Sequence, residues 1–411
     1  MKIGIDARFY GPVGKGLGRY TQEVVDNIIK ITAAETADSG EAEFFYVIFL
    51  SPDNFDEFTA VAPNIKKVKL SCAWYGWKEQ LVFPWAIWRE NLDLVHFPHF
   101  NVPILTPTKF IVTIHDLILT HFPTVRATTR HRFWYYFKNF AYHLVILSAL
   151  RRAQKIITVS EFTKADIRDK FAVAADKIVV TYEGVANLAK GHDSLFVAKL
   201  DNQETLAAYH IPNHKFLLYV GNAYPHKNLE ILLKVFVRLQ AVSPGYRLVL
   251  VGKLDYFYAR IQTAARALNL WQPGNINSPV IFPGYVPDAQ LAVFYAEAQL
   301  YIFPSLYEGF GLPPLEAMAQ GCPVVSSDRS SLPEILGDAA VYFNPIGEAD
   351  MLEKIQQVLN NQDLAADLRQ RGRDQAKKYN WWECANQTLA VYRAVLKPAG
   401  PAASHPAAWN S

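Results

Sequence analysis

The sequence predicts an α/β protein made of two doubly wound, parallel-sheet domains. Three observations carry that prediction. Short apolar runs without polar alternation recur along the chain, at 2–7, 110–115, 216–220 and 298–303, which is how strands covered on both faces read. Each run leads through a loop into a helical pattern, the βα alternation of a parallel sheet. The alternation lapses over 186–213 and restarts at Phe216, and 411 residues exceed what one core usually holds.

Composition narrows the class of partner. Hydrophobic residues are 51% and charged ones 19%, so the chain is globular rather than disordered. A net charge of +3 is too small to argue for nucleic acid. Cys72, Cys322 and Cys384 form neither a C-x-x-C pair nor a zinc spacing, so free thiols and a reducing compartment are expected. Asp6 and Arg8 interrupt the first apolar run, which excludes a signal peptide, and no run approaches the ~18 residues of a membrane span. A cytoplasmic protein is expected.

The most informative stretch is 303–334. An apolar run ends at Phe303, and a loop carries Glu308-Gly-Phe-Gly311. Pro313 and Pro314 suit a first helical turn, Gly321 stops the helix expected over 315–320, and an apolar strand follows over 323–326. In open α/β sheets ligands bind at such carboxyl ends of strands. Gly309 and Gly311 permit close backbone approach, and the helix N-terminus favours phosphate. Glu308 and Glu316, eight residues apart, have the chemistry to accept hydrogen bonds from sugar or ribose hydroxyls. The plainer alternative is a solvated Glu308 and a Glu316 that only complements the helix dipole.

The text E-G-F-G-L-P-P-L-E-A-M-A-Q-G-C-P-V-V resembles the E-x7-E signature of retaining glycosyltransferases of family GT4, which have the GT-B fold. The resemblance runs over about residues 1–395 and is nearest to bacterial mannosyltransferase-like members. It implies a cleft between the two domains and transfer of a sugar from a nucleotide diphosphate donor to an acceptor.

The remaining elements follow in chain order. The strand at 2–7 leads into a loop over 8–18 with Gly11, Gly14, Gly16 and Gly18, and then a helix with Val24, Val25, Ile28 and Ile29. Strand, glycine turn and helix make an anion cradle, although G-x-G-x-x-G spacing is absent and a flexible turn is the simpler reading. The resemblance puts Gly16 and Gly18 near the donor phosphates and Arg19 towards the acceptor. Strands are expected over 43–50 and 66–70. The cluster from Trp74 to Gln80 offers aromatic platforms for sugar faces, with Glu79 or Gln80 for hydroxyls, or else simply caps and packs a helix. The strand from Leu94 ends at His99, with Asn101 beside it, and these complete the expected acceptor side. His96 reads as a satisfied core histidine.

His115 ends the strand 110–115, and V-T-I-H-D-L matches the family's cleft histidine beside the transferred sugar; Asp116 would orient it or cap the next turn. Residues 126–155 hold seven Lys or Arg, no acid and many aromatics. They read either as a surface that lies on a membrane or as an amphipathic helix packed on the sheet. T-V-S-E-F-T resembles the family's T-V-S-x-x-[ST], with Ser160 as an N-cap. Glu183 stands where the family pattern x-N-G-V has Asn.

In the second half, the strand at 216–220 runs into a loop with Asn222 and Lys227. Asn222 replaces a common family Arg, which leaves Lys227 as the main cation for the diphosphate. Strands follow at 247–251 and 280–286, where the family's backbone near Tyr285 and Val286 approaches the nucleobase. A helix over 288–299 leads into the 303–334 stretch, then a strand at 339–343 and a helix at 349–360. A terminal helix begins at Trp381 and Trp382.

The expected organisation is an acceptor-side domain over 1–185, a nucleotide-sugar domain over 186–378, a helix over 379–396 crossing back, and a disordered tail over 397–411. Glu316 should hold the ribose, Lys227 the diphosphate, and Glu308 with the Gly309–Phe310–Gly311 backbone the sugar. His115, Glu308 and Lys227 form the expected catalytic set. No D-x-D motif occurs, so neither metal nor cofactor is expected, and cations with helix dipoles stabilise the leaving group. GDP-mannose is the first donor expected and UDP-glucose the next; the acceptor is a lipid-linked or polysaccharide chain. A glycoside hydrolase, a nucleotide-sugar epimerase and a noncatalytic sugar-nucleotide subunit are the rival classes.

Overall fold

The computed structural model describes residues 1–11, 15–60, 62–122, 132–185, 201–212 and 215–397. The first half holds β1 (Lys2–Asp6), α1 (Lys15–Ser39), β2 (Phe45–Leu50), β3 (Ile65–Lys69), α2 (Glu79–Glu90), β4 (Leu94–Phe97), β5 (Phe110–Ile114), α3 (Ile118–His121), α4 (Arg132–Arg152), β6 (Lys155–Thr158), α5 (Glu161–Phe171) and β7 (Ile178–Val180). A short helix, α6 (Asn202–Ala208), precedes the second half. That half holds β8 (Phe216–Val220), α7 (Leu229–Val242), β9 (Arg247–Val251), α8 (Tyr256–Ala267), β10 (Val280–Gly284), α9 (Asp288–Glu297), β11 (Leu300–Phe303) and α10 (Leu312–Ala319). It continues with β12 (Val324–Ser327), α11 (Leu332–Leu336), β13 (Ala340–Phe343), α12 (Glu348–Leu359), α13 (Gln362–Ala376) and α14 (Trp381–Leu396).

Two parallel sheets result, in the orders β3-β2-β1-β4-β5-β6-β7 and β10-β9-β8-β11-β12-β13. Strands such as β4 and β5 are buried along their whole length, as continuous apolar runs require. Helices cover the sheets; α7, for one, buries Leu229, Leu232, Leu233, Phe236 and Leu239, the spacing of a single helical face. Strand order reverses between β1 and β4, and between β8 and β11. Those reversals open crevices at the carboxyl ends of the strands, and they fix where a ligand can sit.

Two element boundaries differ from expectation by three residues or more. Gly16 and Gly18 lie in the first turns of α1, not in the loop before it. A side chain on Gly18 would collide with the Phe9 and Gly11 carbonyls, so glycine is required there to let helix and loop pack. Gly16 has open space around it. The helix α10 starts three residues early, because Gly311 takes φ +108° as its N-cap and Pro313 fits the first turn.

After α13 the chain returns to the first half. The helix α14 packs along α1 and buries Trp381, Cys384, Ala385, Leu389 and Tyr392. Tyr392 Oη lies 2.7 Å from His96 Nδ1, and Arg393 pairs with Glu35 and Glu43, each at 2.7 Å. The expected tail lies, from residue 398 on, outside the described residues, as does most of the link between the halves.

Candidate active site

The loop after β11 forms one wall of the crevice, and neighbours hold its backbone closely. Glu308 N–H donates to Ser330 Oγ at 2.9 Å, and Ser331 Oγ donates towards the carbonyls of Glu308 and Phe310 at 3.1 and 3.0 Å. Gly309 abuts the His115 carbonyl so closely that a Cβ would collide with it. Its own carbonyl accepts from Ser160 Oγ at 2.7 Å. This glycine is therefore fixed by contact between the halves. Phe310 turns its ring inward against Tyr379, at 5.5 Å between centroids, and leaves only backbone towards the crevice.

Lys227 reaches the loop from the crevice after β8. Its short 3-10 turn ends at Asn228, whose φ of +62° suits asparagine. The Asn228 amide donates to the carbonyls of Pro304 at 3.2 Å and Pro345 at 2.7 Å, tying this turn to the β11 loop. Lys227 Nζ then meets Glu308 Oε1 at 2.5 Å, both residues being buried. Lys227 and Glu308 are thus brought together. Asn222 is not part of that contact: its Oδ1 accepts from the Tyr224 N–H at 3.3 Å.

Glu316, buried in α10, accepts from Arg19 Nη1 at 2.6 Å and from Tyr295 Oη at 3.2 Å. Arg19 also pairs with Asp288, so this cation of the first half sits on acids of the second. Burial pushes the Glu316 carboxyl pKa up, Arg19 opposes that, and Asp288 adds to it; the net direction is upward. Tyr285 is exposed beyond β10, while Val286 is buried in the core, so only backbone is free there for a base.

His115 faces the Glu308 loop from the end of β5. Its Nδ1 lies 3.0 Å from Glu183 Oε1, and its Nε2 lies 2.9 Å from the Pro98 carbonyl. The Pro98 carbonyl can only accept, and an ionised Glu183 carboxylate accepts too, so the two contacts favour a ring that donates from both nitrogens. Burial alone would lower the His115 pKa; the hydrogen bond and charge of Glu183, with the Pro98 carbonyl, outweigh it and raise it. Asp116 does not orient His115: its carboxylate caps the next turn, accepting from Ile118 N–H at 2.9 Å.

The acceptor-side residues separate into two groups. Glu79 is fully buried, and it accepts from Arg8 Nη2 at 2.6 Å, Asn101 Nδ2 at 2.8 Å and Tyr75 N–H at 2.8 Å. Its carboxylate is engaged in supporting this wall from within, together with the buried Arg8. Asn101 is committed to the same network. Gln80 Oε1 accepts from Ile104 N–H at 2.9 Å, and His99 Nε2 sits 3.4 Å from Tyr75 Oη at the more open edge.

Sequence reasoning passed over several residues that join the halves. Glu334 accepts from the first two N–H groups of α5, Glu161 at 2.7 Å and Phe162 at 2.9 Å. Tyr307 Oη donates to Asp166 at 2.5 Å, and Asp166 also bonds His121 at 2.7 Å. The T-V-S-E-F-T segment signalled this contact; Glu334 carried no signal of its own. Glu183 was visible as a departure from pattern, but its histidine partner was not.

Residues 201–375 match the family described as glycosyl transferases group 1, and residues 45–186 match glycosyltransferase family 4. Over 316 residues the chain is 32% identical to O-antigen chain mannosyltransferase B of Escherichia coli, covering 76% of this chain and 77% of that protein. This chain is a family 4 glycosyltransferase. A second relative of this glycosyltransferase, O-antigen chain mannosyltransferase RfbU of Salmonella typhimurium, is 26% identical over 69% of this chain and 70% of its own. The fold is GT-B: sucrose-phosphate synthase of Thermosynechococcus elongatus superimposes with a TM-score of 0.73 at 20% identity, over 96% of this chain and 99% of that one.

Proposed function

We propose that this glycosyltransferase moves a mannosyl group from GDP-mannose to a lipid-linked or growing polysaccharide acceptor, with retention of anomeric configuration and without a metal. The observation that carries the reading is the buried Lys227–Glu308 pair, seated at the β8/β11 strand reversal and facing His115 across the crevice. A buried ion pair gains little net stability, because desolvation cancels most of the attraction. Donor phosphates can therefore take Lys227 over from Glu308. Lys227 and the N-terminus of α10 then stabilise charge on the departing diphosphate, and Glu308 stands beside the anomeric centre where positive charge develops. Glu316 serves the ribose. The names of the relatives support mannose as the sugar and a polysaccharide as the acceptor.

Three experiments test this reading. A thermal-shift screen of GDP- and UDP-sugars should give its largest rise with GDP-mannose, since a ligand that binds only the folded state stabilises it. A larger rise with UDP-glucose would replace the donor. NMR of the first-formed product, in EDTA, should show the donor's α configuration kept; an inverted product or lost turnover overturns the chemistry. An isomerised donor would make the protein an epimerase. Lys227→Ala should lower kcat as well as donor affinity, because its charge matters most in the transition state. Near-normal turnover at saturating donor would remove Lys227 from the mechanism.

The proposed location is the cytoplasmic face of a membrane. Among the described residues no helix is long and apolar enough to cross one. The contact expected through 126–155 lies partly outside the described residues, at 126–131. In its described part, Ile146, Ala149 and Leu150 are buried, while Phe140 and Leu144 are exposed, so packing and surface contact both have support.

A further inference from the structure

The helix α2 is apolar on both faces: Phe83, Ala86 and Ile87 are buried, and large apolar side chains also face solvent. Its two acids point inward: Glu79 is buried on Arg8, and Glu90 is buried between Lys66 at 2.7 Å and Lys2. Its solvent face carries Leu81, Val82, Trp85 and Trp88, preceded by Trp77 just before the helix. Trp77, Leu81, Trp85 and Trp88 follow steps of four, four and three residues, so they line one face. Trp77 is 73% exposed and Trp88 70%. With Leu81 and Trp85 they offer on the order of 500 Å² of apolar surface, at the upper end of what a monomer shows without a use for it.

The exposed charges of α2 and of the residue before it have one sign. Lys78 lies over the Trp77 ring at 5.8 Å and Arg89 over the Trp85 ring at 5.5 Å, one at each end of the helix. No acid of α2 is exposed to oppose them. A protein partner normally meets a polar rim of mixed charge. Tryptophans flanked by cations fit the headgroup zone of an anionic bilayer, where the rings sit among headgroups and the cations meet phosphates. A 12-residue helix is about 18 Å long, so it lies in the interface and does not cross.

The stripe is continuous with the acceptor side of the crevice. Gln80 in α2 holds the Ile104 backbone, and next to it Leu105 is exposed; Tyr75, just before the stripe, borders His99. We infer that the exposed Trp77–Leu81–Trp85–Trp88 face of α2 docks on an anionic lipid surface and turns the His99 edge of the crevice towards it. The inference rests on the lipid-linked acceptor reading only for the direction from which the acceptor arrives.

Flotation of the full chain with vesicles tests it, in the absence of donor and acceptor. The chain should float with phosphatidylglycerol–phosphatidylethanolamine vesicles and much less with phosphatidylcholine alone. The double substitution Trp85→Ser with Trp88→Ser should weaken flotation by at least about tenfold, because most of the buried apolar area is lost. Lys78→Glu with Arg89→Glu should abolish the preference for anionic lipid. All four positions are exposed, so melting temperatures should stay within a degree or so of the parent's. Unchanged flotation of the Trp variant overturns the inference, as does a chain that does not float at all. So does a parent dimer that the Trp variant converts to monomer without loss of lipid binding, since the stripe would then be a protein interface. Transfer to a water-soluble acceptor should persist in the Trp variant. Flotation by a chain that transfers no sugar would sink the enzymatic reading and leave this one standing.

Discussion

At the scale of single residues, charge placement decides the chemistry. His115 is sandwiched between a carboxylate and a carbonyl, and its ring also meets Tyr20 edge-on at 4.5 Å. Asp116 adds a further negative charge, while burial, with some help from the His115 charge, pushes His96 and His99 down to about 3 and keeps them neutral. Glu183→Gln keeps a hydrogen-bond acceptor and removes the charge, so burial then dominates and the imidazole loses its proton at lower pH. The high-pH limb of kcat/KM should move to lower pH in this variant. The stability effect has the same sign. A raised folded pKa contributes stability that is complete below the unfolded value of about 6.5 and is lost as pH rises through the folded pKa; the variant should lack that contribution. Superimposable pH profiles would show that Glu183 only fills space.

Glu308 and Glu316 should separate in kinetics. Glu316→Gln removes charge from a group that meets ribose alike in ground and transition states, so it should act on donor KM. Glu308→Gln should act mainly on kcat, because its charge faces a centre that becomes positive only in the transition state. Equal kcat losses in both variants would merge the two roles. Both glutamates were legible in the sequence, because their spacing and the glycines between them are local. The partners were not legible: Lys227 lies 81 residues from Glu308, and Arg19 lies 297 from Glu316.

At the scale of elements, the helix α5 depends on the other half for its start. Ser160 caps it from within, accepting from Thr163 N–H at 3.1 Å, and Glu334 satisfies the two N–H groups that Ser160 leaves. Glu334→Ala should cost about 0.5–2 kcal/mol in a denaturant melt, the range for a lost cap. Hydrogen exchange at the Glu161 and Phe162 amides should quicken in that variant while the β6 amides stay protected. Uniform protection in both would show that the cap carries no weight. Most strands and helices were readable because apolar runs and helical stripes depend only on near neighbours. The start of α1 was misread, since glycines suggest a loop wherever the close approach that demands them is unseen. The helix α13 escaped notice because its text, Q-D-L-A-A-D-L-R-Q-R-G-R-D-Q-A, is mostly polar and buries only a narrow stripe.

At the scale of the molecule, contacts of different strength join the halves, three of them among the described residues bearing on the proposal. The α14 return is apolar and buried, and truncating Leu389 to Ala should cost about 2–5 kcal/mol, as for other core leucines. The α5 clasp joins the neutral Ser160–Gly309 bond, worth about 1 kcal/mol, to bonds on the Glu334 and Asp166 carboxylates, worth about 1.5–3 kcal/mol each where the carboxylate is ionised. The Arg19 contact with Glu316 and Asp288 gains little net stability: solvent screens Asp288 and the 27% exposed Arg19 side chain, and desolvation of the buried Glu316 offsets most of its attraction. It also occupies the carboxylate that the proposed donor ribose needs. A donor entering the crevice therefore has to displace Arg19, and the small worth of the pair makes that displacement cheap. Arg19→Ala should lower the donor KM by up to about fivefold, leave kcat within about twofold, and flatten the dependence of KM on salt. The melting temperature should barely change. A KM that rises on substitution would reverse the assignment: Arg19 would then bind the donor itself, and the ion pair in the free chain would be its resting place.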